Sequence, residues 1–278
     1  MVRGPAVGLA LALTLGLAVP ALANPTWSNG PASFVESTAA PPADPAPNRP
    51  AWPVRARLSQ PADNYDHDIL GGIPHFTVLD VETLACSACN PSREVHRIVL
   101  PGDLVFEDVA SRLWDVTGDH RPEVVVVEAD PRQGARLAVW GFAAPQGALV
   151  RLAATPFIGT PRRWLAPVGA GDFDGDGQIE LAYVDRPHLA QQLVFVRLSG
   201  AHLREIARTP GFTAHRIGDT TITAHVRICQ DEQAELLLPD GGWTRLLAVR
   251  ISGGTLKVSD LGALSKERLE RAISGPCG

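Results

Sequence analysis

An acidic stretch that occurs twice constrains the fold more than any other feature. Residues 172–180 read DFDGDGQIE and residues 115–123 read DVTGDHRPE, so the copies begin 57 residues apart. Each is followed by an apolar run and a closing aspartate, and fainter copies end at Glu235 and cover residues 72–79. About four units of this length, each with several short strands, are typical of propeller blades or a related β array.

The apolar runs predict an all-β domain, because they are short and separated by Gly, Pro and Asp turns. The predicted strands cover residues 76–79, 94–100, 123–127, 136–140, 180–184, 193–198, 234–238 and 246–251. One helix is predicted, over residues 265–273. We therefore expect a small β-propeller or propeller-like array of about four to five blades with a short C-terminal helix.

Residues 1–23 have the pattern of a signal peptide. A basic start at Arg3 precedes an apolar run over residues 6–19 and an A-x-A site at 21–23. The run is shorter than the roughly 20 residues that span a bilayer, so we expect export to the periplasm or the cell exterior without a transmembrane segment. Residues 24–61 are rich in Pro and Ala and predict a linker, which leaves residues 62–278 for the propeller domain.

Charge and cysteine content narrow the possible partners. The net charge of -5 argues against nucleic acid, which requires a clustered basic face. In an exported chain the four cysteines, Cys86, Cys89, Cys229 and Cys277, are expected to form disulfides. Three pairings of four cysteines are possible, and the sequence leaves all three open. The C-x-x-C at 86–89 could be a redox dithiol, but its flanks are typical of a loop, and a zinc site there would lack further ligands.

The 172–180 stretch has the spacing of a calcium loop. Calcium takes six to eight oxygen ligands from a tightly curved loop. Carboxylates stand at loop positions 1, 3, 5 and 9 and a main-chain carbonyl at position 7, and these predicted ligands are Asp172, Asp174, Asp176, Glu180 and Gln178. An EF-hand would need Glu at position 12, where Tyr183 stands. We predict a structural Ca²⁺ here.

The 115–123 stretch predicts a weaker second metal loop. It keeps three carboxylates, Asp115, Asp119 and Glu123, but Thr117 replaces the second aspartate of the pattern. This loop either binds a cation weakly or holds its shape through hydrogen bonds from Thr117 and Arg121. The stretch before Glu235 is expected to be metal-free, since it has Asp231 but no neighbouring aspartate pair.

Residues 172–184 resemble the FG-GAP or VCBS repeat family, whose best-known members form the integrin-type propeller, and the copy at 115 resembles it more loosely. The resemblance implies a propeller stiffened by calcium. About four recognisable units are fewer than the seven of that propeller. A closed ring of four or five blades, an open array and a ring completed by a partner all remain open.

The segments before each loop are expected to lie nearest the propeller axis. Their polar residues could converge on a concave site with an aromatic wall, suited to an anionic or sugar-like group. These candidate ligand-binding residues are His67, Glu107, Arg163, Trp164, His215 and Arg216. The alternative is that they form hydrogen bonds and ion pairs between blades.

The favoured function is a binding or scaffold module for a protein or a saccharide. A hydrolase or lyase using His67 or His215 with Glu107 is the alternative, although no G-x-S-x-G, H-E-x-x-H or phosphate loop supports it. Such an enzyme would need one of these groups within hydrogen-bond reach of another and a shifted pKa. A third possibility is a structural partner in an envelope complex, marked by an exposed apolar patch.

Overall fold

The computed structural model describes residue 1, the strand at 34–38, and residues 49–87, 90–143 and 147–277. This part of the chain is mostly β-strand and has one short α-helix, which confirms the predicted all-β class. The strands are β1 (Phe34–Thr38), β2 (Arg49–Pro61), β3 (Phe76–Ser87), β4 (Asn90–Val99), β5 (Val105–Phe106), β6 (Arg112–Trp114), β7 (Glu123–Asp130), β8 (Gly134–Phe142), β9 (Leu149–Ala154), β10 (Leu165–Gly171), β11 (Glu180–Asp185), β12 (Gln192–Ser199), β13 (His202–Pro210), β14 (His225–Ile228), β15 (Ala234–Pro239), β16 (Arg245–Ser252) and β17 (Thr255–Ala263), and the helix is α1 (Lys266–Ser274).

Within the described residues, sixteen of the seventeen strands group into four antiparallel meanders of four strands each, and the two-residue β5 lies between β3 and β7. The first is β1–β4, the second β6–β9, the third β10–β13 and the fourth β14–β17. Single bridges join Phe76 to Phe106 and Ala154 to His202, so that the first three meanders form one continuous sheet. The fourth meander is a separate sheet.

The core lies between the meanders. The second strands of the last three meanders, β7, β11 and β15, are buried along their whole length. Both faces of each strand therefore contact other protein atoms, which explains their continuous apolar sequences. One apolar cluster spans the second, third and fourth meanders and includes Ile69 and Leu70, and a smaller one packs β2 and β3 against the second meander.

The linker predicted over residues 24–61 is wrong at two places, residues 34–38 and 49–61, which form β1 and β2 and pair with each other. Residues 49–61 form β2, which pairs with β3 and buries Trp52, Val54, Ala56 and Leu58. Every second residue of this stretch is apolar, as in a strand that packs one face on the core, but the prolines around it hid the pattern. The predicted signal peptide, apart from Met1, and residues 24–33 and 39–48 of the predicted linker lie outside the described residues.

The C-terminal helix forms as predicted. The Ser265 side chain accepts a hydrogen bond from the Arg268 N–H and caps its first turn. Leu269 and Ile273 of this helix pack against the fourth meander. A disulfide joins Cys229 to Cys277, whereas Cys89 and the Cys86 side chain lie outside the described residues. Within the described residues, no helix is long and apolar enough to cross a membrane.

Candidate metal loop and buried histidine cluster

The 172–180 loop connects β10 to β11 and is shaped by Asp172. The Asp172 carboxylate accepts hydrogen bonds from the N–H groups of Gly175 at 2.7 Å, Asp176 at 3.2 Å and Gly177 at 2.8 Å. Gly175 and Gly177 have φ of 78° and 84°, a left-handed conformation that glycine adopts without strain. The chain thus curls around one carboxylate, and oxygens of Asp172, Asp174 and Asp176 lie within 4.8 Å of one another.

Arg197 brings a positive charge into this loop from β12. Its Nε donates to Glu180 at 2.7 Å, its Nη1 to Asp176 at 2.9 Å and its Nη2 to Asp174 at 2.9 Å. The Arg197 side chain is 15% exposed and that of Glu180 is fully buried. Burial raises the pKa of Glu180 to about 7, although Arg197 and the Phe173 N–H act to lower it. The guanidinium therefore neutralises carboxylates that would otherwise repel one another.

The loop fits a hard cation by its donor set, since its three aspartates present carboxylate oxygens at one point. Asp174, Asp176 and Glu180 are also the partners of Arg197, so a bound Ca²⁺ would have to displace the guanidinium from them. Gln178, predicted as a carbonyl ligand, donates its N–H and its side-chain amide to the two Asp176 oxygens.

The 115–123 loop connects β6 to β7 and has the same main-chain shape. Asp115 accepts hydrogen bonds from the N–H groups of Gly118, Asp119 and His120. Glu123 accepts from the Val116 N–H at 2.8 Å and from Thr117, as expected for the hydrogen-bonded form of this loop. In the described part of the chain, the carboxylates of this loop do not converge as those of the 172–180 loop do. Burial raises the pKa of Glu123 to about 7.

The corresponding position in the fourth meander is Glu235, near the start of β15. Arg250 donates to Glu235 at 3.2 Å and to Asp231 at 2.9 Å, and Arg227 donates to Glu235 at 2.7 Å. Glu235 is thus neutralised by two arginines, in a loop predicted to be metal-free.

The structure brings together four of the predicted ligand-binding residues, His67, Glu107, Trp164 and His215. Glu107 is fully buried and accepts a hydrogen bond from the Tyr65 hydroxyl at 3.0 Å, while its other oxygen lies 2.5 Å from His67 Nδ1. The Trp164 indole donates to the Glu107 carbonyl at 2.7 Å. Burial raises the pKa of the Glu107 carboxyl, against the opposing effect of His67 and Tyr65.

His188 and His215 continue this cluster beyond Trp164. His215 Nε2 lies 2.8 Å from the Asp219 carbonyl oxygen, which can only accept, so this nitrogen donates. Burial lowers the pKa of both imidazoles, that of His188 to about 4, so both are neutral. The Nδ1 of His215 must therefore accept from His188 Nε2, 3.0 Å away. The Trp164 ring packs against both imidazoles.

Arg163 and Arg216 do not join the cluster contacts. Arg163 donates to the Arg162 carbonyl, and the Arg216 guanidinium lies 3.8 Å from the centre of the Trp243 ring. Sequence reasoning did not select Tyr65, His188 or His75 as site residues. His75 packs against Tyr65, and burial lowers the pKa of His75 to about 4. Tyr65 and His188 lie outside the repeated acidic pattern, and His75 falls in its faintest copy, at residues 72–79, which has no glutamate.

The cluster is enclosed and connects distant parts of the chain. Trp164 and His215 are 2% and 1% exposed. Its members come from the β2–β3 connection, from the segments that precede the second, third and fourth meanders and, for His188, from the β11–β12 connection. Beside it, the Gly218 N–H donates to the Ile69 carbonyl at 3.0 Å, so the β13–β14 connection contacts the β2–β3 connection.

Comparison with known protein families and with curated proteins finds no match. Among solved structures, a crystal structure of a protein from Lactobacillus plantarum is similar over 69% of this chain, with 13% sequence identity and a TM-score of 0.38. The chain spans 55% of that protein.

Proposed function

We propose that this protein is an exported, calcium-binding, propeller-like module that binds a protein or a saccharide. The observation that carries the proposal is the 172–180 loop, in which three aspartates present oxygens within 4.8 Å of one another. Oxygen ligands from carboxylates on a curved loop are the set that calcium prefers. The ion would be structural, since all of its predicted ligands lie in one loop, where it would hold the turn between β10 and β11 in place.

Two features support the propeller-like architecture. Each of the last three meanders has the same strand order, with its acidic turn between the first and second strands. The Gly218 N–H, in the connection between the third and fourth meanders, donates to the Ile69 carbonyl in the β2–β3 connection, so distant units meet as an arrangement around a common axis would require. In such a ring the buried histidine cluster would lie at the axis, where the units meet.

The disulfide supports export. Cys229 and Cys277 are bonded to each other, and such bonds persist in oxidising compartments such as the periplasm and the cell exterior. This agrees with the expectation drawn from residues 1–23. The location can be tested by recovering the protein from cell fractions and determining its N-terminus by mass spectrometry. We expect the mature protein to begin at Asn24.

Calcium titration of the mature chain tests the central proposal. We expect titration calorimetry to show one site in the wild type, and Asp172→Ala and Asp174→Ala each to abolish it. Asp115→Ala is the matched control, because Asp115 shapes the neighbouring loop through the same three kinds of backbone bond. Equal loss in all three variants, or no calcium binding by the wild type, would contradict a site at the 172–180 loop.

A hydrolase or lyase is the second candidate, favoured by the His67–Glu107 pair. The two groups lie 2.5 Å apart and burial raises the pKa of Glu107, which are the features required of a general acid or base. The His67 side chain is 15% exposed and is the member of the pair that contacts solvent. Release of reducing ends or unsaturated sugars from a polysaccharide panel would support it, provided that both His67→Gln and Glu107→Gln abolish the release.

A further inference from the structure

A small cavity lies beside the 115–123 loop, away from the histidine cluster. Its volume is about 140 Å³, several times the roughly 30 Å³ that a water molecule occupies in the liquid. Its walls come from β2, from the loop and from the end of β8. The residues used below are Trp52, Asp119, Arg121, Glu123, Gly141 and Phe142.

The cavity occupies the position at which the third and fourth meanders each place an arginine. Glu180 receives Arg197 from the third strand of its meander, and Glu235 receives Arg250 in the same way. Beside Glu123 the third strand has Gly141, where an added Cβ would lie 2.9 Å from the Glu123 side chain. Glycine at this point leaves open the space that a guanidinium fills twice elsewhere in the same molecule.

The walls supply what a bound arginine needs. The carboxylate of Glu123 matches the group that binds Arg197 and Arg250. Trp52 and Phe142 also line the cavity, and aromatic rings attract a guanidinium. The Trp52 indole N–H is buried and finds no acceptor among the described residues, so an occupant that brings a carbonyl oxygen to it would satisfy it.

Among the described side chains, no cation pairs with Glu123. Arg121, although it also lines the cavity, forms its ion pair with Asp119. The hydrogen bonds that Glu123 accepts come from the uncharged N–H and hydroxyl groups of Val116 and Thr117. Asp119 is 38% exposed, so the rim of the cavity contacts solvent.

We propose that this cavity binds an arginine side chain presented by a partner protein. The guanidinium pairs with Glu123 as Arg197 pairs with Glu180, and a main-chain carbonyl of the partner accepts from Trp52. This assignment goes beyond the calcium loop and does not depend on it. It names an arginine-bearing protein, rather than a saccharide, as the ligand of this face.

The test uses N-acetyl-arginine amide, with N-acetyl-citrulline amide as a neutral molecule of nearly the same shape. Saturation-transfer NMR and calorimetry on the mature chain should show millimolar binding of the arginine probe and at least about tenfold weaker binding of the citrulline probe. Glu123→Gln should weaken arginine binding by about tenfold or more. Glu235→Gln should not weaken it, since that glutamate pairs with Arg227 and Arg250 and lies outside both the cavity and the calcium loop.

Trp52→Phe provides a second variant, which keeps an aromatic ring, although a smaller one, and removes the N–H. It should weaken binding of the arginine amide but not of guanidinium ion, which has no carbonyl. Equal binding of the two probes, or unchanged arginine binding by Glu123→Gln, would overturn the proposal. Saturable binding of a saccharide that is lost in Trp52→Phe would also overturn it. The same holds if the arginine probe does not bind and Glu123→Gln abolishes calcium binding. The calcium site is measured separately through Asp172→Ala, so failure here leaves that proposal distinguishable.

Discussion

Replacing Arg197 by Gln should destabilise the third meander, because the Arg197 guanidinium supplies the positive charge that compensates the carboxylates of the 172–180 loop. Removing one partner of a buried ion pair costs about 3–5 kcal/mol. Glu180 is fully buried and accounts for most of this cost, whereas Asp176 is 40% exposed and adds little. Glu180 keeps its bond from the Phe173 N–H, so we expect about 3 kcal/mol. In a domain of this size that loss lowers the melting temperature by roughly 10 °C.

Calcium should reverse much of this loss. In Arg197→Gln the carboxylates of the loop are free to bind the ion, which at 100 times its dissociation constant contributes about 2.7 kcal/mol. In the wild type the ion must displace the guanidinium, so its stabilising effect is smaller. Thermal unfolding of both proteins in calcium and in chelator measures the difference. The penalty in chelator should also be smaller at pH 5.5 than at pH 8, because the Glu180 carboxyl can take up a proton below its pKa of about 7.

Arg250→Gln is the matched control, since Arg250 occupies the same position in the fourth meander and pairs with the buried Glu235. It should lose less stability, because Arg227 still neutralises Glu235, and calcium should restore none of it. The reasoning is refuted if Arg197→Gln loses less than about 1 kcal/mol in chelator, or if calcium stabilises it no more than the wild type.

Three further predictions concern the rest of the fold. Burial holds the folded-state pKa of His75 near 4, so between pH 6.5 and 4 only the unfolded chain takes up this proton and the wild type loses stability. His75→Phe should remove up to about 3 kcal/mol of that loss. The prediction is contradicted if the free energy of unfolding in urea depends on pH equally in the variant and the wild type. Serine at Cys229 and Cys277 should lower the free energy of unfolding by about 4 kcal/mol, as expected for a bond that closes a separation of 48 residues, and an unchanged urea midpoint would disprove it. Tyr65→Phe should cost about 1–3 kcal/mol by leaving the buried Glu107 short of a donor, and a neutral effect on unfolding would show that this bond is dispensable.

The sequence predicts the middle of each meander better than its edges. The second and third strands of the last three meanders, for example β7 and β8, all contain predicted runs. Each second strand is buried on both faces, so its sequence is continuously apolar. First strands such as β10 are short or interrupted by Pro and Gly, and fourth strands such as β17 are largely exposed and polar. These edge strands have no strong local pattern, since their pairing depends on neighbours already in place.

The site divides in the same way between local and distant contacts. The 172–180 loop is visible in the sequence because Asp172 forms its bonds with residues three to five positions further on. Arg197 is not visible, because it lies on the next strand but one and reaches the loop only through sheet pairing. The histidine cluster requires contacts across the whole chain, such as the one between His67 and Glu107. Spacing alone therefore predicted candidates without showing which of them meet.

Three glutamates at one repeated position show what decides whether a repeat needs a ligand. A buried carboxylate is costly unless a cation or hydrogen-bond donors compensate its charge. Glu235 has two arginines, Glu180 has one arginine beside an aspartate cluster, and Glu123 has uncharged donors beside an open cavity. The requirement for an external cation should therefore be smallest at Glu235, larger at Glu180 and largest at Glu123. The carboxylate count of a loop is therefore an incomplete guide to metal binding, because the residue opposite the glutamate on the next strand determines whether the chain supplies its own positive charge.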